Sequence, residues 1–177
     1  MDKLNIRNPR DIPVSVFIGI SLVIIFLLFN AKVLNSLPCG GSIQEVFCSN
    51  FCHIEPVHLM SNLISLYVLS SVEQQMGFKP FMWLMIFLLL FNTLAEYLAR
   101  KIFNYSKCSI GFSGILFGIV SWELVTKKEL DIGGVLAIVI SVLPQSLSGK
   151  NIDVIGHIIG AISGIIGGVL WKFINKI

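Results

Sequence analysis

The chain has 177 residues, 55% of them hydrophobic and 13% charged, with a mean hydropathy of +0.84 and a net charge of +3. Soluble domains carry roughly 25% charged residues, so composition excludes an ordinary soluble domain, and the length suits one domain. The basic residues are scattered, leaving no stripe for nucleic-acid binding.

Six apolar segments follow in chain order. The first covers about 13–34, with Pro13 tolerated in a first helical turn. No short apolar stretch with a small-residue cleavage site precedes it, so it is expected to stay as an anchor. The second, about 57–75, ends at Gly77, and Lys79-Pro80 turns the chain into the third, about 81–99. The fourth, about 112–125, is closed by Lys127-Lys128; the fifth is 132–147 and the sixth 154–174. A spanning helix needs ~20 residues. The fourth falls short, so it is expected to start inside the membrane, its preceding backbone sheltered by protein or water. The expected architecture is an all-α membrane protein, a six-helix bundle over 13–177 behind a cytoplasmic segment 1–12.

An even number of spans puts both termini on one side. That side would carry eight of the thirteen basic residues, which favours the cytoplasm. Spans two, four and six then all begin on the opposite, extracytoplasmic face. His58, Ser113 and His157 stand at those three beginnings, nearly 100 residues apart in sequence yet at similar depth.

Ser113 lies in Gly111-Phe112-Ser113-Gly114, where small neighbours would let a substrate approach its hydroxyl. A serine is a weak nucleophile until a base takes its proton, and His157 is the candidate base. Glycines at 156, 160 and 164 clear one face of the sixth segment, and Gly114 and Gly118 repeat the interval on the fourth. Two such faces allow the backbones close enough for Ser113 and His157 to meet; generic helix packing would explain the glycines but not the serine and histidine. His58 and Asn62, four residues apart, share a helix face. With the Ser113 backbone N–H they could hold an oxyanion, although a polar clasp between helices would use the same pair.

The ordered series His53-x4-His58-x3-Asn62, Glu73, Gly77, Gly111-Phe112-Ser113-Gly114 and His157-x2-Gly160-x3-Gly164 resembles the motif series of rhomboid intramembrane serine proteases. The resemblance runs from about Phe47 to Gly168 and implies the minimal six-helix form. It implies Ser113 as nucleophile and His157 as general base of a dyad, with His58 and Asn62 on the oxyanion side. Supporting positions are His53, Gly111, Gly114, Phe117, Gly160 and Gly164. Phe117 falls where many members stack a Tyr on the histidine, and Glu73 matches a structural hydrogen-bonding position. The substrates implied are transmembrane segments of other proteins within the lipid bilayer, with no metal, cofactor or nucleic acid.

The chain also departs from that pattern. The loop 35–56 is short and lacks the Trp-Arg pair common there. Asp153, four before His157, is read as a cap of the sixth helix rather than a triad member. Cys39, Cys48, Cys52 and Cys108 all fall on the active-site side, so a disulfide within 35–56 is one expectation and four free thiols the other. Cys48-x3-Cys52-His53 lacks a full metal-ligand set. Two other classes remain open: a catalytically inactive rhomboid-like protein that binds membrane clients, and a small transporter.

Overall fold

The computed structural model describes residues 13–34, 38, 41–103, 109–127, 132–147 and 154–175. Among them are seven helices: α1 (Val14–Asn30), α2 (Ile43–Ser49), α3 (Pro56–Met76), α4 (Phe78–Phe103), α5 (Ser113–Thr126), α6 (Ile132–Leu147) and α7 (Val154–Asn175). Six of them correspond to the six apolar segments. The short α2 was not anticipated. It begins on a capping box in which Ser42 accepts from the Glu45 N–H and the Glu45 carboxylate accepts from the Ser42 N–H, a Ser-x-x-Glu signature readable in advance.

By length and composition, α4 and α7 are each able to cross a membrane, while α1 and α5 are shorter apolar helices. The longest, α4, runs 26 residues, well past the expected 81–99, because only Gly77 separates it from α3. Gly77 adopts φ +86, a backbone region that costs glycine nothing and other residues dearly. The chain therefore reverses in one residue where a Lys-Pro turn was expected.

The centre of the bundle is α5. Its 14 residues rise only ~21 Å, short of a hydrocarbon core of ~30 Å. Ile115, Leu116, Ile119, Val120 and Trp122 are all buried, which needs neighbours on every side. Those neighbours are α3, α4, α6 and, most extensively, α7. Polar ties complete the packing. Ser65 Oγ on α3 donates to the Ala137 carbonyl of α6 at 2.7 Å, and Asn92 Nδ2 on α4 donates to Ser163 Oγ of α7 at 3.0 Å.

At the far end of α3, buried Glu73 caps α1. Its carboxylate accepts from the Val14 N–H at 2.7 Å, the Ser15 N–H at 3.0 Å and Ser15 Oγ at 2.6 Å. The first N–H groups of a helix have no intrahelical partner, and a carboxylate there also meets the positive end of the dipole. Hydrogen bonds to a charged group contribute roughly 1.5–3 kcal/mol. Glu73→Ala should therefore lower the melting temperature in detergent by several degrees, and Glu73→Gln, which keeps one acceptor oxygen, should lower it less. Equal melting of all three proteins would show that the cap is not stabilising.

Candidate active site

The beginnings of α3, α5 and α7 meet at one end of the bundle. The contact that joins α5 to α7 is a glycine seam. A Cβ built on Gly160 would lie 2.0 Å from the Gly114 carbonyl oxygen, and one on Gly164 would lie 2.0 Å from that of Gly118. No side chain larger than hydrogen fits at either place. In the reverse direction, Gly114 and Gly118 face the Gly156 and Gly160 carbonyls at 3.2 Å. The backbones are in contact over two turns.

That approach brings Ser113 Oγ to 2.9 Å from His157 Nε2. Both residues are buried, at 6% and 8% exposure. One turn along α5, Phe117 lies flat on the imidazole, with ring centroids 4.4 Å apart and planes 8° from parallel. The stack fixes the ring plane while the hydroxyl occupies one ring nitrogen. Ser113 is the first residue of α5, so its N–H belongs to the unpaired set at a helix start, where the dipole favours negative charge.

Gly111 delivers α3 to this point. It holds φ +119, and a Cβ on it would fall 2.6 Å from His58 Cε1 and 3.6 Å from Asn62 Nδ2. The chain thus passes directly against both side chains two residues before Ser113. Its own N–H donates to the Ser49 carbonyl at 3.1 Å, which anchors the α5 approach to α2. His53 takes a more definite part than its sequence position suggested. Its Nε2 lies 2.8 Å from Asn62 Nδ2, and its ring meets His58 edge-on at 5.0 Å. The Asn62 amide therefore commits one of its two N–H donors to His53 and keeps one.

As an acceptor, His53 must be neutral. Burial, helped by His58 nearby, pushes its pKa from the usual 6.5 down to about 3. The unfolded chain takes a proton at this residue below about 6.5 that the folded chain refuses until about 3. Its contribution to stability consequently falls as pH drops through that window.

A small polar pocket of about 30 Å³ opens beside the serine, lined by Asn50, Asn92, Glu96, Ser109, Ile110, Gly111, Ser113, Gly114, Gly156 and His157. A water needs roughly 10–15 Å³ of such volume, so about two fit. Asn50, Asn92, Glu96 and Ser109 were not singled out in the sequence. The available signal was ionisable residues inside an apolar helix: Glu96 and Arg100, four apart on α4, form a buried ion pair at 2.5 Å.

Cys48 and Cys52 are both free thiols in the structure, and Cys52 Sγ donates to the Cys48 carbonyl at 3.3 Å. Cys39, Cys108 and the proposed cap Asp153 lie outside the described residues. Burial, with Cys48 beside it, pushes the Cys52 pKa up to about 11, which leaves it ~10²-fold less thiolate than an ordinary cysteine. In native detergent-solubilised protein at pH 8, maleimide should modify exposed Cys48 and spare Cys52, with Cys52 reacting only after denaturation. Peptide mass spectrometry reads this directly, and equal native labelling would contradict the burial. Among the described residues, no group of three His, Cys, Asp or Glu converges on a metal-sized site.

Comparison with known proteins addresses the ordered motifs. The Rhomboid domain model matches residues 40–172. The chain belongs to the rhomboid family. A relative from Acanthamoeba polyphaga mimivirus, provisionally named rhomboid protein L523, is 32% identical over 162 residues, which cover 86% of this chain and 88% of that one. Rhomboid membership makes the chain an integral membrane protein with a helical bundle. The match takes in every helix that contributes to the site, from α2 to α7. It leaves out α1, which ends at Asn30.

Proposed function

We propose that this rhomboid protein is an intramembrane serine protease that hydrolyses peptide bonds in or near transmembrane segments of other proteins. The observation that carries the reading is Ser113 Oγ at 2.9 Å from His157 Nε2 with Phe117 stacked on that imidazole. A nucleophile and its base within hydrogen-bond reach, the base oriented by a third group, is the arrangement covalent catalysis needs. In the proposed reaction Ser113 Oγ attacks the scissile carbonyl and its proton passes to His157 Nε2. The tetrahedral oxyanion falls to the Ser113 N–H, His58 and the N–H that Asn62 keeps. Each such donor is worth ~2.7–4 kcal/mol in the transition state. Collapse expels the amine, which takes the proton from His157, and leaves an acyl ester on Ser113. A water then repeats the attack with His157 again as base, and the polar pocket beside Ser113 has room to supply it.

The topology proposed with this chemistry has six spans, both termini in the cytoplasm and the site opening extracytoplasmically. A helical substrate hides its peptide bonds, so segments with small or helix-breaking residues near the cleavage point should unwind into the site most readily. Reconstituted into liposomes, the protein should cut a model single-span substrate of that kind at one bond within or beside its membrane segment. Mass spectrometry of the products locates the bond. A substrate left intact, or cut only in its soluble part, contradicts the proposal.

A further inference from the structure

An apolar cavity lies away from Ser113, between α1 and α4. It has a volume of about 420 Å³, and Val14, Phe17, Ile18, Met82, Leu89 and Phe112 are among its walls. Every lining residue is apolar. It exists because α1 leans on α3 and makes few contacts with α4. Along α4 it reaches from Phe78 to Leu89, a rise of ~16 Å. That is the depth of one leaflet of a hydrocarbon core ~30 Å thick. A polymethylene chain extended along α4 matches that length and that wholly apolar lining.

The surroundings name the occupant. Phe17 and Ile20 on α1, and Ile86 and Leu90 on α4, are large exposed apolar residues flanking the opening, so the slot is continuous with the surface this membrane protein presents to lipid. At its outer end, next to Phe78, stands exposed Lys79, where a lipid phosphate would sit. We infer that the α1–α4 slot is a phospholipid site: one acyl chain fills it from the leaflet on the side of the chain termini, and the headgroup lies against Lys79.

The inner end of the slot is part of the catalytic framework. Phe51 and Phe112 close it, their rings 6.0 Å apart, and Phe112 immediately precedes Ser113. A bound chain braces the α2–α3 connection and the start of α5 together. Lipid occupancy thus steadies the geometry around Ser113 without touching the reacting atoms. The site stands on membrane embedding and on the slot itself, so it holds whether or not the protein cuts substrates.

The test is a thermal melt of the full chain in mild detergent, titrated with dioleoyl phosphatidylglycerol, with native mass spectrometry of the same samples. The wild type should gain several degrees along a saturable curve and retain one phospholipid per chain, while glycerophosphate alone gives no shift. Met82→Trp, which fills the slot, should melt at or above the apo wild type and neither respond to lipid nor retain it. Lys79→Glu, on the surface and able to fold regardless of how the slot packs, should need several-fold more lipid to reach the same plateau. A lipid response that survives Met82→Trp, an unchanged half-saturation in Lys79→Glu, or a wild-type melt indifferent to lipid would overturn the assignment. So would a saturable shift given by a transmembrane peptide in place of the phospholipid.

Discussion

Ser113→Ala and His157→Ala should each lower cleavage of a transmembrane substrate by at least ~10⁴-fold, and the double variant should be hardly worse than either alone. Residues that act as a unit lose their whole effect when one member goes. The 2.9 Å contact between Oγ and Nε2 is the physical basis for treating them so. The stability readout separates the two. Ser113→Ala removes one hydrogen bond, worth roughly 0.5–1.5 kcal/mol, so its melting temperature should stay close to wild type. His157→Ala also removes the ring stacked on Phe117 and should melt lower. Parallel cleavage assays and melts in the same detergent decide it. Multiplicative losses in the double variant would mean that serine and histidine act independently.

The second large effect needs no contact with substrate. Gly164→Ala should sharply reduce both activity and stability, and Gly164→Leu should reduce them further. A methyl at 164 would sit 2.0 Å from the Gly118 carbonyl oxygen and 2.9 Å from Ser121 Cβ. Because those neighbours are largely backbone, α5 and α7 must separate by ~1 Å or more to reach ordinary contact. Position 164 is seven residues from His157, about two turns away, so the added group acts only by moving the helix. A displacement of ~1 Å in a catalytic pair can cost ~10²-fold in rate, and overpacking costs ~1–3 kcal/mol. Gly19→Ala is the matched control, because its Cβ would meet Leu63 at an ordinary 3.6 Å. Near-wild-type activity and melting in Gly164→Ala would mean that the seam is loose in the membrane.

The glycine seam was legible because spacing alone reports it. Glycines four apart on two segments leave few uses other than close helix contact, and Gly114, Gly118, Gly160 and Gly164 meet as that pattern requires. The helix cores were legible from the length of the apolar runs, which approaches what a membrane crossing needs. The ends were not. The reach of α4 back to Phe78 depends on a single glycine at φ +86, and backbone angles do not show in composition. α2 was hidden by its length, seven residues with no periodic signal beyond its cap.

Side-chain partners were harder to read than positions. His53 and Asn62 are nine residues apart, an interval that no helix or strand period pairs. Only the fold around Gly111 brings them together. The buried Glu96–Arg100 pair had a plain helical spacing and was passed over because it lies at the end of an apolar run, where charge reads as an interfacial flank. Its exposure of 5% and 9% puts it inside, bordering the pocket that holds Ser113.

A fluorophosphonate probe reports an activated serine without requiring the natural substrate. In detergent micelles or liposomes the hydroxyl oxygen displaces fluoride at phosphorus only if a base takes its proton, so labelling reads the Ser113–His157 pair itself. One covalent adduct per chain is expected, on Ser113, absent in Ser113→Ala and nearly absent in folded His157→Ala. A folded wild-type protein that stays unlabelled, or one labelled equally well without His157, would contradict the dyad.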